Sequence, residues 1–347
     1  MNYILAKHNF WQLVHKQVIV YRDAPDYVLD YLRHRGSTVI HSETRPENAV
    51  LIKGTGFDWP TKEELGVVDE VENDIQEGYE VVQYVGNTAK GLNIYRRQKL
   101  NAYLKKHYKV ATVYKGSVDT SNCKFIVISD PRGADELVEK AKCPIYYDKT
   151  DMWDALVDGI DKTVLNKATG VFCSSRFIYA NTEHKNKVLL ENAANYYQYP
   201  FDRVYEKENI AVYVGRAENK VDVEFCDKLR QEHPDFKFVS IGLEIPGFEN
   251  IPSMNWEDMM KYLQKCKVGL VPLKDNAYTA GQFNLKVWDY ILNKMPVIVT
   301  NDYNYKSIKN VHKEWTTEFV EEPITYWNSV FDKILSYIEE DTEDGLC

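Results

Sequence analysis

"YTAGQFNLKVWDYILNKMPVIV", residues 278–299, decides the fold. A Thr-Ala-Gly turn opens it, a helical stretch carrying Lys286 and Asp289 follows, Asn293-Lys294 breaks the helix, and Pro296 to Val299 reads as a strand. Just upstream, "VGLVPL" (268–273) is a second apolar strand. Strand, turn, helix and strand in this order form the repeating unit of a parallel sheet covered by helices. The turn at 278–281 therefore stands at the carboxyl end of a strand, where open α/β sheets bind ligands.

The same rhythm extends in both directions. "IAVYVG" (210–215) and "FKFVSIG" (236–242) read as further strands, with helices near 221–232, 256–266 and 283–293. Before a polar, proline-containing stretch at 195–203, strands are expected at 17–21, 37–42, 49–54, 80–86, 124–130, 144–148, 170–175 and 187–192. Helices are expected at 24–36 and around 89–107. The fold class is α/β, with two doubly wound, Rossmann-like halves joined near residue 200. Domains are expected at 1–200 and 201–325. Apolar residues at helical spacing after Pro323 give a C-terminal helix, bounded as 326–347, that could cross back to the first domain.

Composition narrows the function classes. The 347 residues carry a net charge of −9, which argues against a generally basic nucleic-acid binder. No apolar run reaches the roughly 18 residues of a membrane span, so stable membrane insertion is not expected. The N-terminus lacks a signal peptide's apolar core. Six scattered cysteines without a CxxC pair fit a reduced, cytoplasmic protein with buried thiols, and no zinc site is expected.

Candidate chemistry sits at the strand ends. In "YVGRAENK" (213–220), Gly215 permits a tight turn, and Arg216 and Lys220 stand four residues apart at a helix start. Two cations beside helix N-terminal amides suit a diphosphate; ordinary solvated charges are the competing reading. Backbone amides of Thr279, Ala280 and Gly281 could cradle phosphate oxygens. Lys286 and Asp289 share a helix face, and the carboxylate could accept hydrogen bonds from a ribose diol, or the two could form a plain surface ion pair. "KGTGF" (53–57) offers Gly54 and Gly56 as a turn that could meet a substrate.

The second half resembles the donor domain of GT-B glycosyltransferases of the retaining group-1 type. The resemblance lies in "YVGRAENK", "FKFVSIG", "CKVGLVPLKDNAYTAGQFNLKVWDYILNKMPVIV" and the C-terminal helix, covering residues 205–310 well and the first half loosely. It implies two domains facing a central cleft, with the donor in the second and the acceptor in the first. It places the donor diphosphate on Arg216, Lys220 and Lys286 and the ribose on Asp289. It implies a nucleotide-sugar co-substrate, expected to be a UDP-sugar such as UDP-glucose, with retention, no metal and no other cofactor. Many members carry an acid at the position of Gly281, so this chain departs from the pattern at the sugar contacts. "PIYYDKTDMWDAL" (144–156) resembles an acid-bearing loop facing the cleft, with Asp148 and Asp151 as its candidates. Helix capping by Asp151 is an equal reading. Asp151, Arg216 and Lys220 are the expected catalytic residues.

One segment stands apart. Residues 86–117 hold eight lysines or arginines, Arg96 and Arg97 among them, and no acid. A solvated helix face is the plain reading. The alternative is a docking surface for a polyanionic acceptor such as DNA with a hydroxylated base, a phosphate polymer or a membrane-associated glycan. A nucleotide-sugar 2-epimerase of the same architecture and a non-catalytic nucleotide-sugar or polyanion binder remain as rival functions.

Overall fold

The computed structural model describes residues 17–21, 38–41, 50–53, 73–86, 95–155, 159–194, 206–216 and 220–344. The first three strands, β1 (Gln17–Tyr21), β2 (Thr38–His41) and β3 (Val50–Lys53), pair with one another in a parallel sheet of order β2-β1-β3. Among the described residues these three strands form no pairing with the sheet that follows.

The second sheet comprises β4 (Asp74–Ile75), β5 (Val81–Tyr84), β6 (Val110–Val113), β7 (Phe125–Ile128), β8 (Ile145–Lys149), β9 (Gly170–Cys173) and β10 (Lys187–Leu189). Its order is β10-β9-β8-β7-β5-β6-β4, and every pairing is parallel except that of β4. Helices α1 (Tyr95–His107), α2 (Asp135–Lys140), α3 (Lys162–Lys167) and α4 (Arg176–Asn181) connect its strands. Strands β5 to β9 are buried along their whole length, which explains their unbroken apolar character.

The third sheet holds β11 (Ile210–Val214), β12 (Lys237–Ile241), β13 (Glu249–Ile251), β14 (Val268–Val271), β15 (Val297–Val299) and β16 (Val311–His312), all parallel, in the order β13-β12-β11-β14-β15-β16. Its helices are α5 (Val223–Glu232), α6 (Trp256–Lys265), α7 (Ala277–Ala280) and α8 (Lys286–Leu292). Strand order reverses between β11 and β14 here, and between β5 and β7 in the second sheet. Each reversal opens a crevice at the carboxyl ends of the flanking strands.

The last helix, α9 (Trp327–Asp344), leaves the third sheet and packs on the second. Its Trp327, Phe331, Ile334 and Ile338 share one buried cluster with Val81, Val127, Tyr146 and Phe172. Burying each such side chain contributes about 1.5–3 kcal/mol, enough to fasten the helix there. Among the described residues no helix is long and apolar enough to cross a membrane.

Candidate active site

The crevice of the third sheet begins where β11 gives way to Gly215. A Cβ at that position would come 2.3 Å from Tyr213 Oη and 2.9 Å from Lys286 Nζ, so the absence of a side chain lets both approach the strand end. Lys286 Nζ lies 4.5 Å from the centre of the Tyr213 ring, whose face attracts a cation. Burial lowers the Lys286 pKa to about 7, Lys220 repels it in the same direction, and Asp289 opposes both. Burial raises Asp289 to about 7, against the Trp256 indole and Lys286. Lys220 Nζ stands 4.7 Å from the centre of the Tyr278 ring and 3.5 Å from its hydroxyl. The exposed Arg216 donates from Nε to Ser253 Oγ at 3.0 Å. Lys220 and Lys286, which are 66 residues apart in the chain, thus converge, and each lowers the cost of a phosphate reaching the other.

The amide cradle expected at 279–281 is not present. The Thr279 amide donates to Asn276 Oδ1 at 3.0 Å, that of Ala280 to Asn276 O at 2.8 Å, and that of Gly281 to Thr279 O. Asn276 caps α7 and forms a reciprocal capping box with Thr279, so these donors are satisfied within the turn.

From the loop after β8, Asp151 comes within electrostatic reach of Lys220. Burial raises its pKa, while Lys220 and Arg97 oppose the shift. Asp148 does not face the cleft in search of a partner. Its carboxylate accepts from Arg96 Nη2 at 2.7 Å, and the two side chains are only 0% and 4% exposed. Arg97 is buried too, with Nη1 2.9 Å from Asp130 Oδ2. Arg96, Arg97 and Asp148, expected on an acceptor-binding surface, therefore serve the interior, because a buried guanidinium needs a carboxylate beside it.

Elsewhere in the basic segment one lysine and two tyrosines meet distant acids. Lys105 pairs with Asp74 at 2.7 Å, and from α9 Asp332 accepts from Tyr103 and Glu339 from Tyr108. Gly54 and Gly56 lie outside the described residues.

Sequence reasoning missed Arg132. It grips Asp130 through Nη2 at 2.6 Å, lies 4.6 Å from the centre of the Trp153 ring, and is influenced by Asp151 and Tyr278. The signal was available in "SDPRG" (129–133), a charged turn at the carboxyl end of β7.

No family model matches the chain. It is 20% identical over 219 residues to the putative teichuronic acid biosynthesis glycosyltransferase TuaH of Bacillus subtilis (strain 168), covering 51% of this chain and 54% of that protein. The chain thus spans about half the length of this curated relative. Among solved structures it is similar to Anabaena Alr3699/HepE in complex with UDP-glucose, at 9% identity and a TM-score of 0.48, over 76% of this chain and 92% of that one. It is also similar to an alpha-glucosyltransferase in complex with UDP-glucose and DNA containing an abasic site, at 13% identity and a TM-score of 0.44, over 76% and 93% of the two chains. By sequence the chain is related to a glycosyltransferase, the class that the resemblance in its second half implied.

Proposed function

We propose that this chain transfers a hexosyl group from a nucleoside-diphosphate sugar, a UDP-sugar such as UDP-glucose by its resemblance, to an acceptor hydroxyl. The observation that carries the reading is the convergence of Lys220 and Lys286 at a strand-order reversal, with the Lys286 pKa brought down to about 7. Two cations that repel each other across a buried crevice favour an anionic group between them. When the glycosidic bond to the diphosphate breaks, that group gains negative charge, and Lys220, Lys286 and Arg216 are the side chains to stabilise it. Asp289 holds the ribose. Asp151, on the facing side, handles the acceptor's proton, a role its raised pKa suits. The reaction proceeds with retention, as in the family that the second half resembles.

For the acceptor we favour a glycan hydroxyl. The name of the curated relative supports this, and burial of Arg96 and Arg97 removes two cations from the polyanion-docking reading. Incubation with UDP-glucose and other nucleotide-sugars, with and without saccharide acceptors, tests the proposal. Acceptor-dependent release of free UDP is expected. Conversion of the nucleotide-sugar without acceptor would instead indicate an epimerase, and binding without turnover a carrier.

A further inference from the structure

The loop ahead of α8 has four successive backbone carbonyls held by side chains. Asn304 Nδ2 donates to Ala280 O at 2.6 Å and to Gln282 O at 3.1 Å. Ser175 Oγ donates to Gly281 O at 2.8 Å, and Asn192 Nδ2 to Phe283 O at 3.0 Å. Ser175 caps α4 and Asn192 follows β10, so both belong to the second-sheet domain. Asn304 lies beyond β15, but its own Oδ1 accepts from the Phe177 amide of that domain at 2.9 Å.

Asn192 is itself fixed. Its Oδ1 accepts from Arg96 Nη1 at 3.2 Å, and its carbonyl accepts from Trp288 Nε1 at 2.9 Å. The buried Arg96–Asp148 pair thereby reaches both Phe283 and Trp288, the residues that bracket Lys286.

Gly281 adds a steric constraint. A Cβ there would lie 2.3 Å from Met152 Cγ and 3.1 Å from Met152 Cβ. Met152 follows Asp151 directly in the facing domain. The space that a side chain at 281 would need is therefore occupied from across the cleft.

We infer that the second-sheet domain moulds the 280–283 loop, with Met152, Ser175 and Asn192 as positioning residues that set where Lys286 stands. This rests on the reading of Lys286 as a diphosphate ligand. None of the three needs to touch the nucleotide. Gly281, where the resembling family often has an acid, is then required by Met152, and the two positions form a matched pair. Nucleotide affinity and the apposition of the two domains become one coupled property.

A double-mutant cycle on the full chain tests the pairing. Gly281→Ala should weaken UDP binding about tenfold, equivalent to about 1.4 kcal/mol. In a Met152→Ala background the same substitution should cost less than about twofold, because the 2.3 Å contact with Cγ is gone and only the 3.1 Å contact with Cβ remains. Asn192→Ala should weaken UDP binding as well while leaving the protein folded by circular dichroism. Equal losses from Gly281→Ala in both backgrounds, or unchanged UDP affinity in Gly281→Ala and Asn192→Ala, would overturn the inference. A wild-type chain that binds no UDP would overturn the nucleotide reading alone. The cycle is then read in thermal melting, where the drop caused by Gly281→Ala should disappear in the Met152→Ala background, and its persistence would refute the matched pair.

Discussion

Lys286 and Asp289, three residues apart on α8, are both displaced toward neutrality by burial, the lysine downward and the acid upward, each to about 7. An isolated ion pair would move each group the other way. The direction shows that desolvation outweighs their mutual attraction, with Lys220 adding repulsion on the lysine. A site poised in this way gains charge complementarity only when an anion arrives.

Nucleotide binding should therefore take up a proton. The folded-state pKa of free Lys286 is lowered to about 7, so above that pH the amine is largely neutral. A diphosphate favours the ammonium form and lifts the pKa back toward its ordinary 10.5. Between those values each complex binds up to one proton, and affinity falls as pH rises. Calorimetry with UDP at pH about 8, in buffers of different ionisation enthalpy, should show this uptake. Buffer-independent heats would remove Lys286 from the site.

Asp289 gives a separate pH signature. Its folded-state pKa is raised from 3.8 to about 7, so its contribution to stability is lost as pH rises through that window. Asp289→Asn should leave stability unchanged below pH about 4 and raise it increasingly up to about 7. If the carboxylate holds the ribose, the same variant should weaken UDP binding while sparing inorganic diphosphate. Equal losses for both ligands would make the role structural.

Lys220→Ala should weaken UDP binding by about 1.5–3 kcal/mol, the range of a charge-assisted hydrogen bond. Arg216→Ala should cost less, because its exposed guanidinium already bonds Ser253 and meets solvent. Titration calorimetry of the two variants checks the ranking, and a larger loss for Arg216 would reverse their assigned weights.

Much of the second half was legible in the sequence because its strands are continuous apolar runs and its turns carry Gly215 and Gly281. Convergence of Lys220 and Lys286 on one crevice was legible through their places after β11 and β14. Long-range pairing was not. Nothing local reveals that Arg96 meets Asp148, 52 residues away, or that acids from α9 face the basic helix α1. Strand β6 went unread because "VATV" is short and lies inside that basic segment. The capping by Asn276 is readable in "NAYT", an N-cap residue with a hydroxyl three positions on, whereas a following glycine is equally compatible with open amides.

The buried pair yields a stability prediction in place of a docking one. Asp148→Ala leaves the Arg96 charge buried without its carboxylate and should cost about 3–5 kcal/mol in urea unfolding, with little dependence on salt. A cost below about 1 kcal/mol would be the value of a surface pair and would contradict the buried arrangement.

On the proposed reading, Lys220 and Lys286 hold a diphosphate at the reversal of the third sheet. A crystal structure of the chain with UDP tests it most directly. Phosphate oxygens are expected about 2.7–2.9 Å from Lys286 Nζ, with Lys220 Nζ on the same group. Ordered UDP whose phosphates touch neither lysine would contradict it.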